Sequence, residues 1–195
     1  MGRWLVVWLW AALAHGQTVL VIGDSLTEGY GLDAEDAFPA VLEGLLRPKH
    51  KAIKVINGGV SGSTTASAVQ RVKWFARAKP HVVVLALGAN DGLRGLDVQE
   101  SRKHLEAAVT TARGMGMKVL LAGMQMPTNY GRPYRAAFEK MYADLARDLK
   151  LPLLPFLLEG VGGVPAMNLA DGIHPNKAGH ARVAQNLARS LEGHL

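Results

Sequence analysis

Short apolar runs alternate along this chain with longer stretches in which apolar residues recur every third or fourth position. Val19–Ile22, Ile53–Asn57, His81–Leu87, Lys118–Ala122 and Leu151–Phe156 are the runs, and they predict five strands. The third is apolar on both faces, which suits the centre of a covered parallel sheet. The fifth contains Pro152 and Pro155, which suits an edge. Helical stripes fall between them: Phe38, Val41, Leu42, Leu45 and Leu46; Val69, Val72, Phe75 and Ala76; Val98, Leu105, Val109 and Ala112. Tyr134, Phe138, Met141, Leu145 and Leu149 follow Pro133, a first-turn residue, and Val183, Ala184, Leu187 and Leu191 make the last stripe. This alternation predicts an α/β fold, a three-layer α/β/α sandwich around a five-stranded parallel sheet with right-handed crossovers.

In such sheets a ligand lies beyond the carboxyl ends of the strands, so the residues that follow each strand carry the functional information. Gly23-Asp24-Ser25-Leu26-Thr27-Glu28-Gly29 follows the first, Gly58 to Thr64 the second and Gly88-Ala89-Asn90-Asp91-Gly92 the third. Met124 to Arg132 follows the fourth, and Asp171-Gly172-Ile173-His174-Pro175 the fifth. The fold would bring all five loops to one rim.

At the first of these, Ser25 has two readings. It caps the turn after the strand, as serines often do, or it is a nucleophile, which requires a base, an orienter for that base and donors for an oxyanion. An α/β-hydrolase elbow is excluded, because Thr27 stands where that motif needs glycine. Of seven histidines, His15 falls in the leader, His50 and His194 in polar or terminal segments, and His81, His104 and His180 have no acidic neighbour suited to orient them. His174 lies three residues after Asp171. The pair reads alone as a cap or salt bridge; with Ser25 on the same rim it reads as base and orienter. Gly62 leaves its backbone N–H unobstructed and Asn90 offers a side-chain amide, so both are candidate oxyanion donors, with ordinary turn or cap roles as the alternative.

Composition adds bounds. With 195 residues, 49% of them hydrophobic, the chain predicts a single domain, 17–195. Ahead of it, Met1-Gly2-Arg3, the apolar run Trp4–Leu13 and small residues permitting cleavage after Ala14 or Gly16 read as a signal peptide, 1–16, and predict a periplasmic or secreted protein; an uncleaved anchor is the other reading. No cysteine is present, so no disulfide framework is available. The formal charge is +6, but no block of five or six like charges occurs. A solvated surface is therefore expected, with no nucleic-acid partner, at most a weak attraction to anionic lipid or acyl-carrier surfaces, and a monomer.

Four blocks in order, Gly23-Asp24-Ser25-Leu26, Gly62 after Val60-Ser61, Gly88-Ala89-Asn90-Asp91 and Asp171-Gly172-Ile173-His174-Pro175, resemble the SGNH, or GDSL, hydrolases. Asn90-Asp91-Gly92-Leu93-Arg94-Gly95, Asn129-Tyr130-Gly131-Arg132 and Leu151-Pro152-Leu153-Leu154-Pro155-Phe156 extend the likeness to a periplasmic subgroup of acyl-CoA thioesterases that also act as lysophospholipases and arylesterases. The resemblance implies a flavodoxin-like fold, Ser25 as nucleophile and Asp171 with His174 completing the triad. It further implies the Ser25 and Gly62 N–H groups with the Asn90 amide as oxyanion hole, and a mobile loop near Met124–Arg132 that shapes the acyl site.

Two departures stand out: Gly58-Gly59, expected to loosen the loop before Gly62, and Ala89 where a second glycine often stands. Met124, Met126 and Tyr130, with Asn129 beside them, are candidate substrate contacts, since thioethers adapt to irregular apolar ligands. No metal-ligand spacing, P-loop or GxGxxG after a strand occurs, so neither metal nor nucleotide cofactor is expected. The leading reading is a serine hydrolase of acyl esters and thioesters acting through an acyl-enzyme. The alternatives are a short-chain or carbohydrate acetylesterase of the same fold, and a non-enzymatic flavodoxin-like binding domain holding Mg²⁺ between Asp24 and Asp91.

Overall fold

The five apolar runs pair into one parallel sheet in the computed structural model, which describes residues 17–195; the expected leader lies outside them. The strands are β1 (Thr18–Gly23), β2 (Lys54–Gly59), β3 (Val82–Ala86), β4 (Lys118–Ala122) and β5 (Leu153–Leu154), in the order β2-β1-β3-β4-β5. Thr18 registers with Lys54, and Val82 with Lys118. Every residue of β3 is buried, as its two-faced apolar pattern requires. β5 is shorter than the run Leu151–Phe156 because Pro152 and Pro155 flank it and neither can donate to a ladder.

Helices α1 (Ser25–Glu28), α2 (Phe38–Leu46), α3 (Ala68–Phe75), α4 (Ala89–Leu93), α5 (Val98–Gly114), α6 (Arg132–Asp148) and α7 (Lys177–Leu191) complete the chain. α2 packs on α7, while α3 and α6 both pack on α5, so the helices cover the sheet as two layers. Leu20, Ile22, Leu85, Leu105, Leu120, Phe138, Leu145 and Leu187 form the shared interior. Burying each such side chain is worth about 1.5–3 kcal/mol, and with no cysteine this core carries the stability.

Two glycines correct an expectation. Gly58 and Gly59 belong to β2 rather than to a loosened loop, and a Cβ on Gly59 would stand 2.1 Å from the Glu28 backbone nitrogen. The absent side chain of Gly59 lets α1 lie directly on the strand, and that of Gly58 leaves room for the Val21 carbonyl and the Phe75 ring. The chain's order reverses between β1 and β3, and a crevice opens at the carboxyl end of such a switch point.

Candidate active site

β1 delivers Ser25 to that crevice. Asp24 is the N-cap of α1, its Oδ1 accepting the Leu26 N–H at 3.0 Å, so the capping role falls to the aspartate and not to the serine. Gly23 makes the sharp exit possible, since a Cβ there would meet Thr27 Oγ1 at 1.8 Å. Ser25 Oγ is left 3.0 Å from His174 Nε2.

The histidine arrives from the opposite end of the chain, on a loop fastened at both sides. Asn168 Nδ2 donates to the Val161 and Val164 carbonyls, Leu169 N–H donates to the His174 carbonyl, and Asn176 caps α7 through the Gly179 N–H. Within the loop Asp171 Oδ1 accepts the Ile173 and His174 N–H groups at 2.8 and 2.9 Å, and Oδ2 meets His174 Nδ1 at 2.7 Å. The backbone bonds from His174 and Ile173, and then the imidazole itself, hold the Asp171 carboxyl down at about 2. Tyr30, which the sequence reading passed over, lays its ring beside the imidazole with centroids 4.4 Å apart. Hydroxyl, imidazole and carboxylate thus stand in line, the arrangement that makes removal of a serine proton easy.

Gly62 and Asn90 reach the same rim. Asn90 Nδ2 faces the Ser63 carbonyl at 3.1 Å and Asp24 Oδ2 at 3.3 Å. Gly62 adopts φ +76°, a conformation glycine reaches without strain, and its carbonyl accepts from Arg94 Nη2 at 3.1 Å. Among the described residues, no protein acceptor takes the backbone N–H of Ser25 or of Gly62.

Beside Ser25 and His174 opens a cavity of about 550 Å³, walled largely by Leu26, Leu93, Met124, Met126, Phe156, Leu158 and Ile173, with Ala89 and Asn90 at its polar edge. That volume is typical of small-molecule sites. Asn129 and Tyr130 do not line it, which corrects their assignment as substrate contacts. Tyr130 packs sideways onto α4, its hydroxyl donating to the Leu93 carbonyl at 2.8 Å, and Asn129 faces solvent. The short 3₁₀ turn Thr128–Tyr130 carries both away from the wall built by the two methionines.

Residues 21–182 match the sequence model of the GDSL-like Lipase/Acylhydrolase family. The chain belongs to that family. It is 42% identical to Esterase TesA of Pseudomonas aeruginosa, over 92% of this chain and 90% of that protein. It is 34% identical to the Thioesterase 1/protease 1/lysophospholipase L1 of Escherichia coli K12, over 97% and 93% of the two chains. A crystal structure of TesA superimposes with a TM-score of 0.88, covering 92% of this chain and all of that one.

Behind the rim of this GDSL-like acylhydrolase lies a buried polar cluster that sequence reasoning missed. Asp91 Oδ2 accepts the Thr65 N–H at 2.9 Å, and Oδ1 accepts the Thr65 and Ser101 hydroxyls at 2.5 and 3.2 Å. His104 Nδ1 stands 3.2 Å from the same Thr65 oxygen. The cluster ties the loop carrying Gly62 to the helix carrying Asn90. Asp24 and Asp91 therefore spend their oxygens on different protein donors, and the reading in which they share a cation finds no support.

Two buried groups set opposing pH dependences. Burial raises the Asp24 carboxyl to about 6 from an ordinary 3.8, against the bonds from Leu26 and Asn90 that favour its charge. Burial also lowers the His180 imidazole to about 4; its Nδ1 accepts the Phe38 N–H at the start of α2. Between about pH 4 and 6 folded Asp24 keeps a proton that the unfolded chain releases, so its contribution to stability falls as pH rises. Across about 4 to 6.5 unfolded His180 binds a proton that the folded chain refuses, so its contribution rises with pH. The two slopes offset each other in the wild type. Asp24→Asn is expected to unmask the histidine, with stability rising across that window by up to about 1.4 kcal/mol per pH unit. Urea melts at several pH values check this; a slope unchanged from wild type would contradict it.

Proposed function

We propose that this chain is a serine hydrolase of acyl esters and thioesters, working through an acyl-enzyme on Ser25. The observation that carries the reading is the line Ser25 Oγ, His174 Nε2, His174 Nδ1, Asp171 Oδ2, with steps of 3.0 and 2.7 Å at the mouth of an apolar cavity. His174 takes the serine proton as Oγ attacks the acyl carbon and returns it to the departing alcohol or thiol; a water activated by the same imidazole then frees the acid. Asp171, ionised down to about pH 2, fixes the tautomer and stabilises the imidazolium.

The oxyanion is received by the Ser25 and Gly62 N–H groups and by the Asn90 amide. Both Asn90 amide hydrogens have protein acceptors at rest, and the longer bond, to Asp24 at 3.3 Å, is the one that yields. Relatives named as an esterase and as a thioesterase and lysophospholipase support the substrate class. The apolar run Trp4–Leu13 supports function outside the cytoplasm, in the periplasm or the medium.

The test is hydrolysis of p-nitrophenyl esters from acetate to long-chain acyl groups, and of an acyl thioester with a thiol reagent, with Ser25→Ala as the blank. Ser25-dependent rates that rise toward medium or long chains are expected, because the cavity wall is apolar. Activity confined to acetate would instead assign the site to small acyl groups such as those on sugars, and no activity would overturn the reading.

Gly92 gives a finer handle on that wall. A Cβ at Gly92 would lie 2.2 Å from Met126 Sδ, near the far end of a flexible side chain. Gly92→Ala is therefore expected to push the thioether into the cavity and shift the rate profile to shorter acyl chains while leaving the melting temperature close to wild type. An unchanged chain-length profile would show that Met126 does not limit the site.

A further inference from the structure

The basic residues that look scattered in the sequence gather at one end of the fold. Helices run back against the strands, so the turns entering β2, β3, β4 and β5 all lie at the base, opposite Ser25. Lys51, Lys54, Lys73, Arg77, Lys79, Arg113, Lys118, Lys150 and Arg189 are placed there by these turns and by the last turns of α3, α5 and α7, and all are exposed. Among the described residues none of these nine has a carboxylate partner. The acidic side chains at this end, Glu43, Asp144, Asp148 and Glu192, are already paired with other cations. The opposite end mixes Glu28, Asp33, Glu35, Asp97, Glu159 and Asp171 with Arg71, Arg94, Arg132, Arg135 and Lys177, so the excess positive charge is concentrated at the base.

Favourable placement of cations at helix C-termini explains part of this. It covers Lys73, Arg113 and Arg189, which sit in last turns. It also covers Arg77 in the turn after α3, and Lys79 and Lys150, whose N–H groups close the ends of that turn and of α6. It does not cover Lys51, Lys54 and Lys118, which belong to the strand entries. Lys79 and Lys150 nonetheless adopt left-handed backbone, φ 48° and 50°, at positions that glycine occupies at lower cost.

We propose that this base is a docking surface for the headgroups of an anionic membrane. Two further observations favour lipid over another polyanion. Exposed apolar side chains accompany the cations, Trp74 at 61% exposure with the Arg77 guanidinium 4.1 Å above its ring, and Met115 at 46%. Tryptophan with neighbouring cations is the composition of a membrane interface. The chain also enters β1 at this end, where Thr18 registers with Lys54, so a leader retained as an anchor would join the fold on this face. Docked this way, the enzyme turns the mouth beside Ser25 away from the bilayer and takes its substrates from the aqueous phase.

The experiment is flotation of the full chain with vesicles of phosphatidylcholine alone and of phosphatidylcholine mixed with phosphatidylglycerol, at low and high salt. Any attachment through residues 1–16 would act on both vesicle types, so their ratio isolates the basic face. The ratio is expected to favour phosphatidylglycerol and to collapse at high salt. Lys79→Gly with Lys150→Gly removes two charges and relieves both left-handed lysines, so folding is not endangered. At about fivefold per cation near an anionic surface, the double variant should lose on the order of 25-fold in that ratio. Turnover of a soluble ester should be unchanged. Arg132→Gln, at the rim, should leave the ratio alone. Equal partitioning to the two vesicle types, an equal loss from Arg132→Gln, or equally tight retention on duplex DNA at the same salt would each overturn the proposal.

Discussion

Purified Ser25→Ala and His174→Ala proteins are expected to lose ester turnover by a factor of about 10⁴ to 10⁶ while keeping the wild-type fold. The reasoning is geometric. Ser25 Oγ has His174 Nε2 at 3.0 Å, and serine without that base is a weak nucleophile at neutral pH. Because the two side chains act as one device, the double variant should be scarcely worse than either single one. Asp171→Asn is expected to fall less far than Ser25→Ala. An asparagine oxygen can still accept the Ile173 and His174 N–H groups that shape the loop, but its amide cannot hold the imidazolium. Stopped-flow release of p-nitrophenol, with labelling by a fluorophosphonate, measures both steps. Residual wild-type turnover in Ser25→Ala, or unchanged rates in Asp171→Asn, would remove the proposed roles.

Acid inactivation should not trace to Asp171. Its carboxyl is held at about 2, so it stays ionised wherever the enzyme is folded and assayed above about pH 3. An acid limb in kcat/KM that disappeared in Asp171→Asn while the rate persisted would count against this.

The second large effect is expected at Asn90. Asn90→Ala should lower kcat by about a hundredfold to a thousandfold with KM little changed, since the amide meets charge that exists only in the transition state. The scaffold should survive: the neighbouring Asp91 still gathers Thr65 and Ser101, and Ala89 and Gly92 remain packed. Asp24 would lose its Nδ2 partner but keep the Leu26 N–H, so α1 and Ser25 should hold their positions. Steady-state kinetics on one good ester, with a thermal melt of the same protein, distinguishes this from general damage. A rise in KM with kcat preserved would mean that Asn90 binds ground-state substrate instead.

Much of this site was legible without coordinates, and the reasons are local. A run such as Val82–Ala86 is buried on both faces and must say so in its composition, and a helix must repeat its apolar face every turn. Parallel topology then sends every strand-end loop to one rim, so Ser25, Gly62, Asn90, Asp171 and His174 could be gathered there as candidates, while their roles as triad and oxyanion hole came from the resemblance to the GDSL hydrolases. Asp24 as cap, with Ser25 released toward His174, is already a choice between two side chains one residue apart. The backbone path after Gly23 made that choice.

What sequence determined by itself was therefore the periodic part: five apolar strands, five amphipathic helices, their alternation and the polar blocks after each strand. Tertiary structure decided whatever depends on partners distant in the chain. His180 caps α2 across 142 residues, Asp91 binds Thr65 and Ser101, and Tyr30 lies against His174. None of these leaves a local pattern, because a single hydrogen bond or ring contact imposes no period. The same holds for Tyr130, which turns from the cavity to reach the Leu93 carbonyl, and for nine lysines and arginines spread over the chain that share one basal surface. Periodicity records which face of an element is buried; only packing records what that face, or the end of the element, meets.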